Sequence, residues 1–82
     1  MNTFQTIIEN AKKRKMQVYF NAISCPFADG LVGIENANNI VYWYEYTKEG
    51  EMLYRHAYNR NNGKTIKGFA MGYNFLLKLT HD

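Results

Sequence analysis

The sequence predicts an α+β domain: a three- to four-stranded antiparallel sheet carrying one helix before it and one after it, in the order α-βββ-α. Three observations lead there. Apolar residues near the start recur at helical spacing, β-rich runs separated by turn residues fill the middle, and a helical period returns after Thr65. With 82 residues the chain holds a single domain, 1–82, because a second would need its own core. A hydrophobic content of 46% with 21% charged residues is globular composition. The longest apolar runs reach four or five residues, too short to cross a membrane.

The elements follow in order. Phe4, Ile7, Ile8 and Ala11 fall at i, i+3, i+4 and i+7, with Asn2 and Gln5 as a capping pair at the start. The cationic run Lys12-Lys13-Arg14-Lys15 closes the last turn, where the helix dipole favours positive charge. Residues 17–23 then read as a strand, 24–30 as a Pro- and Gly-punctuated loop, 31–35 as a short strand and 36–39 as its turn. Residues 40–47 (IVYWYEYT) are the clearest strand, turned by Lys48-Glu49-Gly50-Glu51 into a returning strand at 52–58. After a second turn at 59–63, Ile66, Phe69, Ala70, Tyr73, Leu76 and Leu77 repeat at helical spacing. Gly68 and Gly72 each cost that helix about 1 kcal/mol, so a strand over 73–79 is the competing reading.

Pairing position 47 with 52, and 43 with 56, puts Val41, Trp43, Met52, Tyr54, His56 and Tyr58 on one face of the hairpin, the one expected against the helices. Tyr42, Tyr44 and Tyr46 then share the other face with Leu53, Arg55 and Ala57. Tyrosine and arginine combine a flat apolar body with a polar end, which suits partner surfaces and stacking on unpaired bases. Tyr42, Tyr44, Tyr46 and Arg55 are therefore the expected partner-binding residues; a partly exposed sheet face built from good β-formers is the plainer alternative.

The net charge of +3 is unevenly spread. Residues 1–28 balance at +3, 29–51 at −4 and 52–82 at +4, so two basic ends flank an acidic middle. Lys12, Lys13, Arg14 and Lys15, with Arg60, Lys64 and Lys67, are the candidates for binding nucleic acid or an acidic partner. Gly63-Lys64-Thr65 matches the last positions of a P-loop, but Tyr58 stands where that motif requires glycine. A turn at Gly63 with Thr65 capping a helix explains the same residues.

No catalytic residues, metal ligands or cofactor are expected. Cys25 has no second cysteine and reads as a small hydrophobe; a lone cysteine also favours a reducing, cytoplasmic setting. The Met1-Asn2-Thr3 start lacks a signal-peptide layout. A metal-free ribonuclease would have to combine His56 with Lys64 or Tyr54.

The α-βββ-α order resembles the double-stranded-RNA-binding domain, with Gly63-Lys64-Thr65-Ile66-Lys67 similar to the basic start of its second helix. It also resembles the HicA-like toxins, although those carry Gly-Ser-His where this chain has Tyr54-Arg55 before His56. The overall organisation is similar to small phage-encoded anti-CRISPR proteins: short, cysteine-poor, with a helix, an antiparallel sheet and a second helix. Well-known members of that shape are strongly acidic DNA mimics, which a chain at +3 is not. That resemblance implies a non-enzymatic inhibitor that blocks a host nucleic-acid-handling complex. Its partner would be a host protein or ribonucleoprotein, with RNA itself and a stand-alone RNA-binding module as the alternative. The nearly all-round apolar C-terminal helix, with Gly68, Gly72 and Phe75 as a second stripe, predicts contact with the first helix or a homodimer.

Overall fold

Amphipathic spacing at the start and alternation in the middle place two helices on one face of a five-stranded sheet. The computed structural model describes residues 3–22, 28–66 and 68–80. The elements are α1 (Thr3–Lys13), β1 (Gln17–Asn21), β2 (Gly30–Glu35), β3 (Ile40–Tyr46), β4 (Met52–Asn59), β5 (Lys64–Ile66) and α2 (Phe69–Thr80). Every strand is antiparallel to its neighbour, and the spatial order β1-β2-β3-β4-β5 is the order in the chain. The expected α+β class and flanking helices hold, with one strand more than expected. Residues 64–66 form β5 rather than the first turn of a helix, and α2 begins only at Phe69.

The core lies between the helices and the sheet. Ile7, Ile8 and Ala11 of α1 and Phe75, Leu76 and Leu79 of α2 meet Val32, Ile34, Tyr42, Tyr44, Met52, Tyr54 and Ala57. Phe75 stacks on Tyr42 with ring centroids 4.1 Å apart. At Gly72 the helix backbone lies directly against the Tyr54 ring, and Tyr44 donates its hydroxyl to the Gly72 carbonyl at 2.7 Å. The close approach at Gly72 is thus to the sheet, not to the first helix or a second copy. Gly68 precedes the helix, at φ 145°. Of the expected apolar stripe, Leu76 is buried while Ala70, Tyr73 and Leu77 are exposed.

The largest correction concerns the tyrosine row. Tyr42 and Tyr44 are buried, Tyr44 completely, and Tyr46 is partly buried against the same core. The cause is a one-residue difference in pairing. Tyr46 opposes Met52 and Tyr44 opposes Tyr54, whereas Trp43 opposes His56 and Val41 opposes Tyr58. Arg55 is the extra residue of a β-bulge between these two stretches. The expected match of 43 with 56 is present, but that of 47 with 52 is shifted by one, so Met52 and Tyr54 share a face with Tyr44 and Tyr46 rather than with Val41 and Trp43. Tyr42, Tyr44 and Tyr46 therefore face the helices, while Val41 and Trp43 face away from them.

The helices are tied to each other at their C-terminal ends. Asn10, itself buried, donates from Nδ2 to the Leu79 carbonyl at 2.6 Å, and Arg14 donates from Nη1 to the Lys78 carbonyl at 2.9 Å. Asn10 of α1 and Arg14 just after it supply partners to carbonyls in the last turn of α2, which a helix end leaves without intrahelical partners.

Candidate sheet-face interface

The face of the sheet away from the helices carries three aromatic residues, the half-buried Tyr19 and Trp43 and the exposed Tyr58. Trp43 spreads over Gly33, where a Cβ would meet its ring at 2.9 Å, so glycine at that position is what lets the indole lie across the strand. The Tyr19 and Trp43 ring centroids are 6.4 Å apart. Tyr58, 37% exposed, lies beyond Val41, its partner on β3. Tyr19, Val41, Trp43, Tyr58, Asn21 and Arg60 line a shallow concavity of about 710 Å³.

One polar network anchors this surface. Glu35, buried on β2, accepts the Tyr19 hydroxyl at 2.6 Å and the Arg60 guanidinium at 2.8 and 3.1 Å. Arg60 also donates to the Tyr19 hydroxyl at 3.1 Å. The hydrogen bond to the Glu35 carboxylate holds the Tyr19 phenol above its ordinary pKa and raises that of Arg60. A buried carboxylate is thereby neutralised on a face that otherwise offers apolar rings. Toward the other end of the face, Arg55 pairs with Glu45 at 2.7 Å.

The basic candidates gather at one end. Lys12 and Lys13 end α1, Arg14 and Lys15 follow it in the turn, and Arg60 and Lys64 flank the β4–β5 turn. Arg14, Lys15 and Arg60 line one depression with Glu35 and Asn36, and Arg60 is common to this depression and the aromatic concavity. Lys67 and Cys25 lie outside the described residues. The sequence reading missed Trp43, Tyr19 and Tyr58 as a surface; the signal was Gly33 in a strand otherwise apolar, which marks a place where a large ring crosses the backbone.

The opposite end carries Asp29, Glu45, Glu49 and Glu51 around the β3–β4 turn, with Lys48 among them. Both helices point their C-termini toward the basic end: α1 begins beside that acidic turn, where Phe4 donates its backbone N–H to the Gly50 carbonyl, and α2 ends against Asn10 and Arg14. The lysines at the helix ends therefore sit in the favourable field of both dipoles.

The sequence holds ten asparagines, and several of them shape the turns of this region. Asn36, Asn59 and Asn62 each accept a backbone N–H two residues on, and Asn39 holds a left-handed backbone at φ 62°. Asn39 and Asn61 join the two neighbouring turns at 3.1 Å.

The ribonuclease candidates are separated: Tyr54 is buried on the helix side, whereas His56 stands opposite Trp43 on the open face. Among the described residues, no three His, Cys, Asp or Glu side chains are grouped to hold a metal ion, and no helix is long and apolar enough to cross a membrane. Comparison with family models, curated proteins and solved structures finds no match for this chain.

Proposed function

We propose that this chain is a small non-enzymatic binding protein of the kind a phage or mobile element uses in the cytoplasm of its host to block a nucleic-acid-handling complex. It docks through the open face of its sheet and the basic end beside it. The observation that carries this reading is the continuity of the two surfaces: the Tyr19–Trp43–Tyr58 concavity shares Arg60 with the depression lined by Arg14 and Lys15. Aromatic rings with polar tips and arginine are the groups that dominate binding energy at interfaces, and a ribonucleoprotein offers both protein surface and phosphate to such a combination. A stand-alone RNA-binding module is the second reading, favoured by the positive charge at the end where the rings open.

The test is capture of a defined host ribonucleoprotein by the tagged chain and by Tyr58→Ala, with and without nuclease. Tyr58 is an exposed ring near the end of β4, so its removal should lower thermal stability little while reducing capture at least about tenfold, the equivalent of 1.4 kcal/mol. Capture that is indifferent to Tyr58→Ala and to Trp43→Phe would move the interface elsewhere. Capture that persists after nuclease supports the inhibitor reading over the RNA module.

A further inference from the structure

We infer that the open sheet face is a stacking platform for single-stranded RNA, with two or three unpaired bases on Tyr19, Trp43 and Tyr58 and the backbone passing Arg60 toward Lys15. The inference rests on the binding role proposed above and names the ligand of that same face.

Three observations carry it. First, the rings lie on a shallow, open surface, the condition for sequence-tolerant stacking of bases. Second, charge is graded along the face. Arg60 leads to Arg14 and Lys15 at one end, while Glu45, Glu49 and Glu51 stand at the other, so a polyanion is drawn to one edge and turned away from the opposite one. An acidic protein segment would meet the same cations, but unpaired bases add stacking on Tyr19 and Trp43, whose ring centroids are 6.4 Å apart, to the attraction of charge. Third, a polar side chain borders the rings: Asn21 lines the concavity, and its amide is a partner for the 2′-hydroxyl that deoxyribose lacks. Arg60 meets Glu35 and Tyr19 through Nη1, and its side chain is 55% exposed, which leaves further guanidinium donors for a phosphate.

Trp43 is the single tryptophan of the chain, so its fluorescence reports the platform directly. The experiment titrates the intact protein with an octamer of uridine, its deoxy counterpart and a duplex of the same length. Uridine octamer should quench Trp43 and bind with Kd below about 100 μM at low salt. Log affinity should fall with log salt at a slope of about −2, as expected when some three cations meet phosphates of a single strand. Tyr58→Ala should weaken binding about tenfold, a loss in the range seen for one stacked base. Lys15→Asn should flatten the salt slope by about 0.7; asparagine tolerates the left-handed backbone at this position, φ 59°, so the fold is preserved. Lys48→Ala, at the acidic end, should change neither measurement.

Duplex binding as tight as single-strand binding would overturn stacking as the mode. Equal binding of the deoxy octamer would overturn the assignment to RNA. No quenching by any single strand up to about 1 mM overturns the inference altogether. If a host complex is nonetheless captured in a nuclease-resistant and Tyr58-dependent way, the proposed function survives that failure and the face is a protein interface.

Discussion

Gly72 brings two opposing energies to one atom. Alanine there would gain about 1 kcal/mol of helix propensity, but its Cβ would overlap the Tyr54 ring. That ring is boxed in, with the Tyr44 and Tyr73 centroids 5.5 and 6.0 Å away. Overpacking of this kind costs about 1–3 kcal/mol. Gly72→Ala should therefore be destabilising by about 1 kcal/mol net, seen as a lower urea midpoint with an unchanged slope. A rise in the midpoint would show that Tyr54 has another place to go. Glu35 presents a different balance, since its carboxylate is buried but meets both a phenol and a guanidinium. Truncation of Arg60 would leave that charge without its cation, a larger effect than the loss of an exposed ion pair such as Arg55–Glu45.

At the scale of elements, α1 completes the end of α2. Asn10→Leu should cost about 1–3 kcal/mol by leaving the buried Leu79 carbonyl without its partner, and hydrogen exchange should quicken in the last turn of α2 before it does in the sheet. The bulge makes a second prediction. Because Tyr54 already opposes Tyr44 and His56 opposes Trp43, deletion of Arg55 leaves every other residue of β4 on its present face. That variant should fold, losing about 1–2 kcal/mol with its ion pair and local twist. Deletion of Tyr54 should abolish cooperative unfolding, because it brings Leu53 or Arg55 opposite Tyr44 in the core. These same elements explain what could be read in advance. α1 and the β3–β4 hairpin were legible because spacing and turn residues are local signals. The faces of that hairpin were not, since a one-residue bulge leaves composition unchanged while moving the side chains beyond it to the other face of the sheet. The start of α2 was misjudged because Thr65 and Ile66 suit a strand as well as a helix, and the choice was made by pairing with Ala57 and Tyr58. The site was hidden for the same reason: Tyr42 and Tyr44 cannot be told from Tyr19 and Tyr58 until the sheet has an inside.

Over the whole molecule, that concentration of tyrosines against the helices has a pH signature. Burial raises Tyr44, Tyr42 and Tyr54 above the ordinary tyrosine value of 10.0. Above that value the unfolded chain loses protons that the native one keeps, so stability, fully present below about pH 10, falls as pH rises further. The slope should reach about 1.4 kcal/mol per pH unit for each tyrosine still protonated, measured by urea unfolding between about pH 9 and pH 11, with the share of tyrosinate absorbance due to Tyr42, Tyr44 and Tyr54 appearing only as the chain unfolds. A flat profile would mean that the phenols reach solvent in the native state. The strand order has its own consequence, for the path by which the chain folds. In a meander each strand pairs with the one made just before it, so the sheet can grow hairpin by hairpin with little loop-closure entropy at each step. The Asn10–Leu79 clasp is different: it spans 69 residues and joins the two ends of the described chain. It should form after the rate-limiting step. Asn10→Leu is then expected to speed unfolding and leave the folding rate nearly unchanged, whereas Val41→Ala in the central hairpin should slow folding. The helices would be latecomers to a sheet already laid down, and the last bond made would be the first released.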